Sequence, residues 1–265
     1  MRYCRFEFNG KAEYGLIEFT AGQEAITRIL LKPPEEVGNV GDTPSRRTDP
    51  VVLGEAVLLP PARPSKIICV GRNYRAHAAE LGHEVPQEPL LFFKPPSSLL
   101  GTGEKILRPK LSQRTDYEGE LAVVIGRRCY KLAADEDVRS YILGYTAVND
   151  FTARDLQKRD GQWTRAKGFD TFCPVGPLVT DEIDPWAGVT VETRVNGQIR
   201  QHGNTRDFIF PLDVIIRYIA EAMTLVPGDL IATGTPEGVG PVVAGDVVEI
   251  TVEGVGTLRN PVGDE

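Results

Sequence analysis

Apolar and polar positions alternate along much of the chain, and the alternation is broken at Asn-Gly, Gly and Pro signals. Arg2-Tyr3-Cys4-Arg5-Phe6-Glu7-Phe8, the turn Asn9-Gly10 and the stretch from Ala12 to Phe19 predict a β-hairpin. A second hairpin is predicted where Val189 to Val195 meets Gln198 to Gln201 across Asn196-Gly197. Short apolar runs at Lys66–Gly71, Tyr141–Asp150, Asp229–Pro236 and Asp246–Val252 read as strands, as does Leu90–Lys94, which Pro95 stops and Lys94 ends. Helical spacing is confined to a few places. Arg75 to Leu81 favours a helix that stops at Gly82, Phe151 to Lys158 a helical turn, Ala133 to Ser140 a short polar helix or turn, and Pro211 to Ala222 an amphipathic helix with proline at its start. The expected fold class is therefore α+β, predominantly β. Lys32 to Pro64 is rich in proline and charge around one apolar patch, Val51 to Leu59, and reads as a seam. It divides a small N-terminal β lobe, residues 1–60, from a main domain, residues 61–265.

One stretch of the main domain stands apart. Arg114 to Gly126 reads as a strand with no polar residue from Leu121 to Ile125, and a run apolar on both faces is a buried strand. Side-chain alternation sends Glu118 and Glu120 to one face at the mouth of that buried segment. Two like charges beside an apolar interior repel, so one takes up a proton or a cation sits between them. A hard divalent ion, Mg²⁺ or Mn²⁺, suits such a pair because it takes carboxylate oxygens and keeps positions open for substrate. The competing arrangement places both glutamates on the solvent face of an edge strand. Asp150, at the C-terminal end of its own apolar strand, is a third acidic candidate. His77 and Glu80 are three apart on the predicted helix and can meet. The polar, glycine-containing loop from Gly161 to Asp170 carries Lys167.

Composition narrows the partners. With 41% hydrophobic residues, 25% charged and a net charge of -7 over 265 residues, the chain reads as a mildly acidic soluble protein with no basic tract. Nucleic acid is not an expected partner. No run approaches the roughly 18 to 20 apolar residues that span a bilayer, and the N-terminus lacks an apolar signal core, so no membrane contact and a cytoplasmic location are expected. The four cysteines are widely spaced, without a C-x-x-C pair, and read as buried thiols.

Taken together, Val70-Gly71-Arg72-Asn73-Tyr74, His77-x-x-Glu80, Glu118-x-Glu120, Asn149-Asp150-x-x-x-Arg154-Asp155-x-Gln157, Lys167-Gly168-Phe169-Asp170 and Gly234-Thr235-Pro236 resemble the fumarylacetoacetate hydrolase family over about residues 65 to 262. The resemblance implies a mixed β-roll, a homodimer, and a Mg²⁺ or Mn²⁺ site acting on a small 2-oxo acid. By the same resemblance Glu118, Glu120 and Asp150 would be metal ligands, while Arg72, Gln157, Thr235 and Lys167 would contact substrate. His77 with Glu80 would be the acid/base dyad. Val70 departs from the founding hydrolase, which has a further metal-ligating Asp there, and Glu80 adds a helix-borne carboxylate beside the histidine. Both features are similar to the shorter acylpyruvase and oxaloacetate decarboxylase members.

The chemistry expected of such a site starts from a 2-oxo acid, which chelates a divalent ion through its carboxylate and adjacent carbonyl, so that an enolate is stabilised. C–C hydrolysis and decarboxylation lead on this reading, with a 2-hydroxyhepta-2,4-diene-1,7-dioate isomerase-type tautomerase as alternative and a non-catalytic metal or carboxylate binder as the alternative of another class. His83 and His202 are expected at the surface. Arg154 and Asp155 could pair on a surface turn. The Gly234 to Gly238 stretch could be a β-turn only, and it is not a phosphate loop because no G-K-[ST] follows.

Overall fold

The computed structural model describes residues 1–38, 40–80 and 84–265. Strands dominate, in three sheets, and five α-helices accompany them among the described residues. The largest sheet has twelve strands. Its centre is Gly119–Ile125, paired antiparallel to Ile142–Asn149 on one side and to Leu230–Ala232 on the other. Leu230–Ala232 pairs parallel to Ile67–Gly71, which pairs with Leu90–Lys94. In the other direction the sheet passes through Cys173–Thr180 to Arg2–Phe8, and then along the meander Lys11–Thr20, Gln23–Leu30 and Ser45–Val52. The N-terminal strands therefore continue the central sheet, Tyr3 facing Val179. The Asn9-Gly10 hairpin is present, with both turn residues at positive φ.

A five-stranded sheet holds the hairpin of Thr190–Val195 and Gln198–Asn204, followed by Val247–Val252, Gly256–Asp264 and Ile106–Arg108. Alternation decides how the central strand is buried. Leu121, Val123 and Ile125 join a core cluster with Val191, Ile250 and Leu258 of the five-stranded sheet, whereas Ala122 and Val124 join a second cluster with Leu143, Val179 and Leu230. Both faces are covered from Leu121 to Ile125, which is why that segment carries no polar residue. The helix Leu212–Ala222 buries Leu212, Ile215, Ile216, Ile219 and Ala220, the stripe its spacing predicts.

The long strand expected across Glu118 is corrected to two. Thr115–Tyr117 belongs to a three-stranded sheet with Thr152–Ala153 and Gly240–Val242, and Gly119–Ile125 to the central sheet. The change of sheet occurs at Glu118. Its N–H is taken by the Asn149 side chain at 3.0 Å and its carbonyl by the Asp150 N–H at 2.9 Å, while Gly119 donates to Gln201 at 3.0 Å. Arg75–Glu80 is helical, while the expected stop at Gly82 and the surface position of His83 lie outside the described residues. His202 is exposed and all four cysteines are buried and unpaired. No helix among the described residues is long and apolar enough to cross a membrane.

Candidate metal and substrate site

Where the central and three-stranded sheets part, the chain ends of several strands converge. Glu118 comes from the break between two strands, Glu120 from the second position of the central strand, and Asp150 from the residue after Ile142–Asn149. One carboxylate oxygen from each lies within 4.8 Å of the others, and all three side chains are buried. The edge-strand arrangement is excluded, because Gly119–Ile125 has a partner on both sides.

Buried charge of this density survives only if it is matched. Lys167 places Nζ 2.8 Å from Glu118 and 2.5 Å from Asp150, and Lys94 donates to Asp150 at 2.7 Å and to the Phe151 carbonyl at 3.1 Å. Arg154 donates to Glu118 at 2.5 Å, to Asp116 at 3.0 Å and to Gln157 at 2.8 Å. Glu120 has no cationic side chain as partner among the described residues. It accepts the backbone N–H of Gly234 at 2.7 Å. Gly234 has φ of 102°, and a Cβ there would lie 2.7 Å from the Cβ of Asn73, so the approach requires glycine. Asn73 is buried and fixes this loop by donating to the Thr233 carbonyl at 2.8 Å.

The electrostatics follow from that pairing. Burial alone would raise Glu118, but the Lys167 ammonium and the Arg154 guanidinium hold its carboxyl far below the usual range. Burial, then the neighbouring Asp150 and Glu118, push Glu120 well above it. One of the two glutamates is thus held charged and the other is driven to keep a proton, as expected for a pair of like charges beside an apolar interior. Burial opposes the charge on Lys167, yet Asp150 and Glu118 leave its ammonium raised above the ordinary value. The donor set fits a hard divalent cation: three buried carboxylates converge, and the one without a cationic side chain faces the pocket.

The pocket beside the cluster takes in Arg72, His77, Gln157, Lys167 and Thr235 along with the three carboxylates. Glu80 stands behind His77, its Oε2 3.4 Å from Nδ1. Phe92 and Trp163 form an apolar wall, their rings edge-on at 5.1 Å, and Lys167 Nζ sits 5.0 Å from the Phe92 centroid. Arg72, at φ of 59°, is alone among the described pocket cations in having no hydrogen bond or ion pair. The Thr235 hydroxyl is engaged, donating to the Gly119 carbonyl at 2.9 Å and accepting from Gln201 at 2.7 Å.

The alternative in which Arg154 and Asp155 pair on a surface turn is not the one found. Arg154 is buried among carboxylates, and Asp155 turns away to accept from Ser112 at 2.6 Å and Gln113 at 3.1 Å. Lys94, Asp116, Phe92 and Trp163 carried no assigned role in the sequence. Nothing in the pattern marks Lys94 out, since Leu90, Leu91, Phe92 and Phe93 are apolar on both faces of its strand.

Residues 66–263 match the family described as fumarylacetoacetate (FAA) hydrolase, C-terminal. Oxaloacetate tautomerase YisK of Bacillus subtilis is 40% identical over 260 residues, 93% of this chain and 83% of its own. The crystal structure of 5-carboxymethyl-2-hydroxymuconate delta-isomerase from Mycobacterium smegmatis superposes with a TM-score of 0.89 at 40% identity, covering 100% of both chains. Fumarylpyruvate hydrolase from Pseudomonas aeruginosa, in complex with Mn²⁺ and pyruvate, has a TM-score of 0.72 at 32% identity over 78% of this chain and 92% of its own.

Proposed function

The chain belongs to the fumarylacetoacetate hydrolase family, and from that premise we propose that it is a divalent-metal-dependent enzyme acting on a small 2-oxo (di)carboxylate by C–C hydrolysis or decarboxylation. The observation that carries this reading is the convergence of Glu118, Glu120 and Asp150 within 4.8 Å at the base of a pocket walled by a histidine and cations. Glu118, Glu120 and Asp150 would hold Mg²⁺ or Mn²⁺, which would supply Lewis acidity to a 2-oxo acid. Arg72 has a guanidinium free to pair with a distal substrate carboxylate, which favours dicarboxylates. Lys167 and the Arg154-held Gln157 stand on the same wall as donors for the 2-oxo acid head. With Nδ1 of His77 turned to Glu80, Nε2 is the ring nitrogen left to take a proton from water or from a substrate carbon. Trp163 and Phe92 exclude water from one side of the reacting carbon. A homodimer belongs to the same proposal on the family resemblance.

A second reading, a tautomerase or isomerase of such acids, is supported by the similarity to the oxaloacetate tautomerase and to the hydroxymuconate isomerase. One imidazole suffices for either chemistry. The test is to strip metal with a chelator, restore Mg²⁺ or Mn²⁺, and follow oxaloacetate and acetylpyruvate by ultraviolet absorbance with product analysis. Pyruvate with carbon dioxide or acetate supports lysis, whereas enol–keto equilibration without new products supports tautomerisation. Decay at the rate of the free metal ion overturns both and leaves a binding protein.

A further inference from the structure

The His77–Glu80 pair is held from outside the pocket. Glu80 is about one-third exposed, at 36% of its side chain, and a flexible carboxylate so placed loses rotamer freedom when it stays on an imidazole. What fixes it is a backbone group: both carboxylate oxygens lie 3.2 Å from the N–H of Gly238. Gly238 has φ of 94°, and a Cβ there would lie 2.0 Å from the Arg200 carbonyl oxygen, so no other residue fits the conformation. The Gly238 carbonyl in turn accepts the Tyr117 hydroxyl at 2.8 Å. Tyr117 is 3% exposed, is paired with Gly240 across the three-stranded sheet, and stands outside the pocket. A phenol keeps its proton at neutral pH, so the hydroxyl is the donor in this bond. The next residue is Glu118, where the chain passes from the three-stranded sheet to the central one. Tyr117 turns to the loop that holds Glu80, Glu118 into the carboxylate cluster.

We propose that the Gly238 backbone, its N–H on the Glu80 carboxylate and its carbonyl on the Tyr117 hydroxyl, is the positioning element that keeps Glu80 on His77, and that Tyr117 thereby registers the acid/base pair to the carboxylate cluster. This rests on the acid/base reading of His77 and Glu80 given above. Tyr117 touches neither substrate nor metal, so its loss is felt in turnover and not in binding.

The experiment compares Tyr117→Phe, Glu80→Gln, His77→Ala and the Tyr117→Phe/Glu80→Gln double variant in full-length, Mn²⁺-loaded protein with oxaloacetate. Tyr117→Phe is expected to lower kcat about three- to tenfold, the scale of one hydrogen bond, with KM and Mn²⁺ affinity within about twofold of wild type. The double variant is expected to be no worse than Glu80→Gln, because groups acting as one unit are not additive. Full turnover in Tyr117→Phe, or an equal further loss in the Glu80→Gln background, overturns the positioning role while leaving the acid/base reading intact. Wild-type turnover in both His77→Ala and Glu80→Gln overturns the acid/base reading itself. Hydrogen exchange at the Gly238 amide gives a readout that needs no turnover: Glu80→Ala is expected to speed it by about tenfold or more while neighbouring amides are unchanged. Unchanged exchange at that amide overturns the clamp.

Discussion

At the carboxylate cluster, Glu118 is matched by Arg154 and Lys167, and Asp150 by Lys94 and Lys167, which leaves Glu120 with one backbone donor. On the proposed reading, the carboxylate without a cationic partner is the one whose charge costs the fold most and gains most from an ion. Replacing Glu120 by Gln removes that cost together with one of the proposed metal ligands. Glu120→Gln is expected to melt at or above the wild-type temperature without metal, to lose the Mn²⁺-dependent rise in melting temperature, and to bind Mn²⁺ at least about tenfold more weakly, since even outer-shell changes reach that scale. Titration calorimetry and thermal melts with and without Mn²⁺ check it. Undiminished affinity removes Glu120 from the ligand set.

At the scale of elements, the strand Leu90–Lys94 delivers a lysine, 1% exposed, onto Asp150 from the far side of the cluster. Breaking a buried ion pair by removing one partner leaves an uncompensated charge. Lys94→Met is expected to destabilise the protein by about 3–5 kcal/mol, measured by urea unfolding, and the loss should shrink when Asp150→Asn is added. The sequence made this strand legible, along with both Asn-Gly hairpins and the 3.6-period helix, because turn chemistry and side-chain period are local properties. The convergence of the carboxylates was legible too, because Glu118 and Glu120 stand at the mouth of one apolar run and Asp150 ends another. Lys94 and Arg154 were not, because a charged residue shows its burial only once its counter-charges arrive from other strands: Asp150 is 56 residues from Lys94, and Glu118 is 36 from Arg154. The sheet change at Glu118 was hidden for the same reason, its cause being side chains of Asn149 and Gln201.

The short helix Pro34–Val37 shows how one element joins the N-terminal strands to the rest. Its Glu35 accepts the Tyr14 hydroxyl at 3.0 Å, and the side chain packs near Gly228. Burial raises the Glu35 carboxyl above its ordinary 4.5, partly offset by hydrogen bonds from the backbone and Tyr14. An acid with a raised folded pKa contributes stability that is complete below the unfolded value and is lost as pH rises through the folded one. Glu35→Gln should therefore change stability little below pH 4.5 and raise the melting temperature at neutral pH, since the amide oxygen still accepts from Tyr14. Thermal melts across that range check the sign. A lower neutral-pH melting temperature in the variant overturns it.

For the whole molecule, the division of labour follows from where the site residues fall. Those brought to the pocket run from Val70 to Thr235, and residues 1–60 contribute none of them. Residues 1–60 supply instead the outer strands of the central sheet and buried side chains such as Tyr3, Phe6, Ile26 and Ile29. Fully burying a large apolar side chain is worth roughly 1.5–3 kcal/mol, so removing several of them costs several kcal/mol. A chain beginning at residue 61 is therefore expected to melt on the order of 10 °C lower, at roughly 2–4 °C per kcal/mol for this size. It also bares the Val179–Thr180 end of the Cys173–Thr180 strand, whose freed N–H and C=O groups template self-association, so its soluble yield should fall. The carboxylate cluster stays intact, because Gly119–Ile125 and Ile142–Asn149 keep each other as partners, and Lys94, Arg154 and Lys167 all lie beyond the cut. Mn²⁺ affinity of the soluble, monodisperse fraction should remain within about threefold of the full chain, under about 0.7 kcal/mol. Loss of Mn²⁺ binding in a folded truncation would mean that the N-terminal strands hold the cluster in shape through Cys173–Thr180, which pairs with the Asp150-bearing strand at Ala147 and Val148.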